Sequence, residues 1–168
     1  VDAARFASHL RVLCRYFSPL PVYEACARLQ QGRLPRRAIC LTFDDGYADN
    51  FHVALPLLQE FGLSAAFFVA TDFLDGGCMW NDSIIEAVRR TSLPRLSTPD
   101  GDTLAVGSMQ QKRGAIDDLI RRCKRLGLSA RNAYVTQFTA TAGVDVPRDL
   151  MMTSDEVRRM SCVGMDIG

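Results

Sequence analysis

The chain has 168 residues, enough for one domain with a real core. Apolar residues make up 48% and charged residues 23%, ordinary proportions for a globular protein, and the formal net charge of +1 excludes a strong general pull toward nucleic acid or anionic membrane. No apolar run approaches the roughly 18 residues that a spanning helix needs. No signal peptide is visible, although a chain that starts at Val1 leaves open a targeting segment upstream. The basic residues form small clusters (Arg36-Arg37, Arg89-Arg90, Arg121 to Arg125) that read as solvated helix faces. Six cysteines stand at 14, 26, 40, 78, 123 and 162, without a C-x-x-C pair and with only His9 and His52 to complete a zinc set. Cys14, Cys26, Cys40 and Cys123 therefore read as buried small hydrophobes in a reducing compartment, which favours the cytoplasm, and no disulfide framework is expected.

In chain order, Asp2 to Tyr16 has helical spacing through Phe6, Leu10 and Leu13, with Asp2 as N-cap. After Pro19 and Pro21, Val22 to Gln31 reads as a second helix stopped by Gly32, and Leu34 to Arg37 as a linker. Ala38 to Phe43 is a short apolar run ended by Asp44-Asp45-Gly46, the pattern of a strand buried on both faces. Tyr47 to Phe61 is helical, but Pro56 requires a kink or a later start. Ser64 to Ala70 is a second buried strand, so the segment is a βαβ unit with parallel strands.

Asp72 to Asn81 reads as a loop carrying Trp80, and Asp82 to Arg90 as a helix. Leu93 to Val106 reads as a hairpin turning at Pro99-Asp100-Gly101. Ser108 with Gln111 forms a capping box for a helix to about Leu126. Ser129 to Ala142 is another helix. Thr153 with Glu156 is a second capping box, for a helix to about Cys162 that Gly164 stops. Met165 to Ile167 then begins a strand. A strand that young with no neighbour after it leads us to expect that the sequence continues past Gly168.

The pair Asp44-Asp45 carries the chemistry. Two carboxylates stand at the C-terminal end of a parallel strand, where α/β folds gather their sites. Neighbours within a strand point to opposite faces, but with Gly46 next the backbone can turn and bring both to one pocket. Two like charges so close repel unless a cation is present. A divalent metal on one, with the other left free as a base, resolves the conflict. An isolated Asp-Asp-Gly is often only an acidic turn; the strand before it, Tyr47 after it and the βαβ context favour function. Asp49 reads as a helix cap, and His9 and His52 as helix-surface residues.

Thr42-Phe43-Asp44-Asp45-Gly46-Tyr47, followed by Asp49-Asn50, resembles the first motif of the polysaccharide deacetylases (the NodB-homology domain, carbohydrate esterase family 4). Ala65-Ala66-Phe67-Phe68-Val69 is similar to that family's ATFFV strand, with Ala66 in place of Thr. Met152 to Val157 and Gly164 to Gly168 resemble the helix and strand before its second motif. The resemblance implies an α/β fold: an incomplete (β/α) barrel with an inserted hairpin and helices, residues 1–34 forming an N-terminal helical segment and 35–168 a partial deacetylase domain. It implies hydrolysis of N- or O-acetyl groups on an acetylated polysaccharide, with Asp44 as general base and Asp45 as ligand of a divalent metal, zinc first. The family's two metal-binding histidines follow in an H-[ST]-x-x-H motif, and neither His9 nor His52 occupies a matching place, so these 168 residues alone are expected to be inactive. Tyr47 and Trp80 are candidates to stack on sugar rings, and Asn50 to hydrogen-bond nearby. No nucleic acid partner and no membrane segment are expected. Two rivals stay open: a non-catalytic carbohydrate-binding protein on the same fold, and a metal-dependent phosphohydrolase, which the adjacency of the aspartates disfavours against the usual D-x-D.

Overall fold

The computed structural model describes residues 2–168. Helix α1 (Ala3–Tyr16) opens on Asp2, whose carboxylate accepts the Arg5 amide at 2.8 Å, so the cap read from sequence forms. Strand β1 (Ser18–Pro19) and helix α2 (Val22–Gln30) follow. Strand β2 (Ala38–Ile39) pairs in parallel with β1. Strand β3 (Thr42–Asp45) leads into a π-helical turn (Asn50–Ala54) and, continuous with it, helix α3 (Leu55–Glu60), whose second residue is Pro56. The helical backbone already begins at Ala48, so Pro56 is accommodated within a helical run by the π-helical turn before it and not by a later start. Strand β4 (Ala66–Val69) pairs in parallel with β3, which makes the βαβ unit.

A 3-10 turn (Thr71–Phe73) precedes helix α4 (Trp80–Arg90), strands β5 (Arg95–Ser97) and β6 (Thr103–Ala105), and helices α5 (Met109–Cys123) and α6 (Leu128–Ala142). Helix α7 (Ser154–Cys162) and strand β7 (Asp166–Ile167) close the described chain. Both capping boxes form, Ser108 with Gln111 on α5 and Thr153 with Glu156 on α7. β5 and β6 pair antiparallel, as the hairpin reading requires. Among the described residues, no helix is long and apolar enough to cross a membrane.

The contacts divide the chain into two compact units: residues up to Gly77 together with Asp149–Gly168, and Cys78–Arg148. In the first, the parallel strands run in the order β3-β4-β7. Phe43 and Phe67 lie in register and their rings stack, centroids 4.7 Å apart at 10°, with Phe6 of α1 edge-on to Phe43 at 6.0 Å. Phe67, Leu10, Leu55, Leu58 and Met160 make the buried centre, so the N-terminal helix shares a core with the strands. In the second unit, the hairpin and α4, α5 and α6 close over Ile84, Leu96, Leu119 and Phe138.

Three expectations need correction. The run 38–43 is not one strand. Ile39 accepts the Leu20 amide at 2.9 Å, whereas Leu41 accepts the Ala66 amide at 3.0 Å. The two halves serve different partners, and the chain changes sheet at Cys40-Leu41. Nor are these strands buried on both faces: Thr42, Asp44 and Asp45 are exposed, and Phe68 is 46% exposed. Thr42, Asp44, Ala66 and Phe68 share one face of the sheet, open to solvent at all of them but buried Ala66, while Phe43 and Phe67 occupy the packed one. Finally, Cys14 and Cys26 are exposed and Cys40 is half-buried, leaving Cys123 alone of the four in a core. Helical spacing places Cys14 and Cys26 close to apolar neighbours but does not say that the face is covered.

Candidate functional site

The site is built where β3 ends. Asp44 is the third residue of the strand and stands in register with Phe68. Asp45 follows with φ at +72°, in the left-handed region that L side chains rarely adopt. The Gly46 amide donates back to the Asp44 carbonyl at 2.9 Å. A two-residue hydrogen bond around a residue of positive φ is a γ-turn of the rarer, strained hand. Strain of this kind costs about 1 to 3 kcal/mol and persists where the surroundings over-determine it. Here they do: the Asp45 carbonyl accepts the Ala70 amide at 3.1 Å, and the Gly46 carbonyl accepts the Met152 amide at 3.0 Å. Gly46 itself has φ at +86°, and a Cβ there would meet Val69 Cγ1 at 2.8 Å, so the turn needs glycine for both shape and space. The backbone therefore turns at this point, and Asp45, not Gly46 alone, carries the turn.

Tyr47 is half-buried and forms an isolated antiparallel bridge with Met151, while the Ala48 amide donates to the Leu150 carbonyl at 2.8 Å. Asp49 stands at the N-cap position of the π-helical turn, but its side chain makes no capping bond, which corrects the capping role expected of it. Asn50 is buried, and its Nδ2 finds no hydrogen-bond partner. An orphaned buried amide is costly, and π-helical turns recur at functional sites. Asn50 lines an open cavity of about 300 Å³ with Phe6, Phe43, Asp49, Val53 and Ala54. The wall is mainly apolar, and Asp49 supplies its one carboxylate.

Trp80 lies elsewhere, in the second unit. It is the first residue of α4 and not part of a loop, packs against that unit's core, and carries the Arg131 guanidinium over its ring at 5.0 Å. His9 is exposed on α1. His52 pairs through Nε2 with Glu156 Oε1 at 2.8 Å, a contact between the π-helical turn and α7. Sequence reasoning overlooked Asp75, which reaches Ser154 and whose left-handed φ of +58° no motif announces. Its only local signal was a non-glycine residue directly before Gly76-Gly77.

Among the described residues, no three His, Cys, Asp or Glu side chains converge to hold a metal ion. Asp44 and Asp45 are hard oxygen donors that suit a divalent cation, but catalytic zinc takes three protein ligands. The residues present do not by themselves fit a zinc ion.

A βαβ unit whose first strand ends in two exposed carboxylates, one of them in strained backbone, belongs to the α/β class, in which ligand sites gather at the C-terminal strand ends. Comparison with known proteins narrows the class. Residues 31–102 match the family model of the polysaccharide deacetylases. The Bacillus subtilis (strain 168) protein YxkH, whose name assigns it to the polysaccharide deacetylases, is 34% identical over 71 residues, covering 41% of this chain and 25% of YxkH. A solved de-N-acetylase from Aggregatibacter actinomycetemcomitans is similar over 100% of this chain and 44% of its own, with 18% identity and a TM-score of 0.50. A deacetylase domain from Bordetella bronchiseptica is similar over 98% and 41%, with 19% identity and a TM-score of 0.47. Residues 31–102 therefore resemble the polysaccharide deacetylases, and the chain shares the α/β fold of the Aggregatibacter enzyme. It spans less than half the length of each of these relatives.

Proposed function

We propose that this protein hydrolyses acetyl groups from an acetylated polysaccharide, with Asp44 as the general base. The observation that carries the reading is the end of β3, where the family-matched pair Asp44-Asp45 is solvent-exposed and Asp45 is held in a strained turn. In the reaction, water adds to the acetyl carbonyl and Asp44 takes a proton from that water. The carbon–nitrogen or carbon–oxygen bond then breaks, acetate leaves, and the sugar amine or hydroxyl departs with a proton. General-base assistance of this kind is worth about a hundredfold to ten-thousandfold in rate.

A divalent metal, zinc first, belongs to the proposal as the group that would raise the acidity of the water. Asp45 is the ligand this chain offers, and the other ligands have to come from outside the described residues. Tyr47 and Asn50, which follow the strained turn, are proposed to border the acetylated sugar. Trp80 is proposed as a substrate contact on the amphipathic chemistry of its ring, and Arg131 already occupies one of its faces.

The test is acetate release from acetylated polysaccharides by the full-length protein, set beside its Asp44→Asn variant. The variant should lose about a hundredfold or more of the rate. Undiminished acetate release from Asp44→Asn would remove Asp44 as the base, and phosphate release from a generic ester in place of acetate would replace the reading with a phosphohydrolase.

A further inference from the structure

Asp75 commits its backbone and its side chain to one short segment. Its amide donates to the Met152 carbonyl at 3.2 Å, and its carboxylate accepts the Ser154 amide at 2.8 Å and the Ser154 hydroxyl at 2.5 Å. The partners stand 79 positions apart, so nothing local enforces the contact. Closing a chain that long costs entropy, which a single exposed hydrogen bond does not offset. Three bonds converging on one residue form a clasp.

The segment it grips leads directly to the aspartates. The Met152 amide donates to the Gly46 carbonyl at 3.0 Å, the Leu150 carbonyl accepts the Ala48 amide at 2.8 Å, and Met151 bridges Tyr47 between them. Gly46 in turn closes the strained turn on Asp44. Residues 150–152 thus run as a strip along Gly46 to Ala48, with Asp75 bonded to the strip's last residue, Met152. The Thr153–Glu156 capping box leaves the first amide of α7, that of Ser154, to Asp75, so the carboxylate serves the helix N-terminus, but helix capping does not account for the bond to the Met152 carbonyl.

We propose that Asp75 is a positioning residue: by clasping Met152 and Ser154 it presses the 150–152 strip against Gly46 to Ala48 and so fixes the turn that presents Asp44 and Asp45. The proposal rests on the reading that those two aspartates do the chemistry. It has two measurable arms in the full-length protein, amide hydrogen exchange and acetate release. Asp75→Ala should speed exchange at the Ala48 and Met152 amides about tenfold or more, with Phe67 of β4 unchanged, because only the strip is loosened. The same variant should lower kcat about tenfold to a hundredfold at unchanged KM, the cost of a misplaced group. Asp75→Asn keeps an acceptor for the Ser154 amide and should restore part of both. Ser154→Ala, which removes only the hydroxyl bond, should act in the same direction but more weakly. Wild-type exchange at Ala48 and Met152 in Asp75→Ala would overturn the clasp, and loosened amides with unchanged kcat would overturn its role in positioning. If the unsubstituted protein released no acetate, the deacetylase reading would fall, and the exchange arm would still decide the clasp.

Discussion

The 78–148 unit and the end of β3 treat charge in opposite ways. In the former, Arg122 reaches Asp100 at 3.1 Å, Asp102 at 2.6 Å and Asp118 at 2.7 Å, and these bonds, that from Asp102 first, hold the guanidinium more firmly protonated than usual. The Tyr134 hydroxyl donates to Asp100 at 2.9 Å, and burial together with that bond pushes the phenol up to about 12. Buried Glu86 takes both Arg89 and Arg90, and the Lys112 ammonium donates to the Arg89 and Thr91 carbonyls at the end of α4. At the end of β3, by contrast, two adjacent carboxylates are exposed and one sits in strained backbone. Polar groups that satisfy one another hold a fold together. An exposed carboxylate in strained backbone adds no stability of its own, which is what makes the pair a candidate for chemistry.

That contrast can be broken most heavily through the core of the 78–148 unit. Phe138 is fully buried among Leu96, Leu119 and Val135. Phe138→Ala should cost about 3 to 5 kcal/mol in a denaturant titration. A loss below about 1 kcal/mol would mean that this core is not packed as described.

A smaller effect should come from Glu86. Burial pushes its carboxyl up, but hydrogen bonds from Arg90 and Arg89 outweigh this and leave it below the usual carboxylate range. A lowered folded value means that the stabilisation is present above the unfolded value, about 4.3 for glutamate, and is lost as pH falls through the folded one. Both arginine side chains are more than half exposed, so solvent screening holds the contribution to about 1 kcal/mol. Glu86→Gln should therefore destabilise at neutral pH and converge with the unsubstituted protein in the acid window below about pH 4. A constant gap down through that window would show that the ion pairs are not its source.

Most of the local structure was legible in the sequence because its causes are local. Asp2, Ser108 with Gln111, and Thr153 with Glu156 cap the helices they announce. The Pro99-Asp100-Gly101 turn sits between β5 and β6, and the apolar runs around residues 42 and 66 form the parallel pair. What escaped depends on distant partners. The split at Cys40-Leu41 arises because β1 claims Ile39 and β4 claims Leu41. The exposure of Asp44 and Phe68 reflects an uncovered sheet face, which no pattern within a strand encodes. The Asp75 clasp joins residues 79 positions apart. Of the candidate site, Asp44, Asp45, Tyr47 and Asn50 lie in one continuous stretch around the turn, whereas Trp80 belongs to the other unit.

A change of similar size but opposite sign is also the most direct test. Glycine tolerates the φ of +72° that Asp45 is forced to adopt. Asp45→Gly in the full-length protein should raise folding stability by about 1 kcal/mol, the relieved strain less the added freedom of the unfolded chain. The same variant should no longer release acetate from acetylated polysaccharide. A variant that is less stable than the parent, or one that still releases acetate at the parent's rate, would contradict the claim that this turn is strained in the service of catalysis.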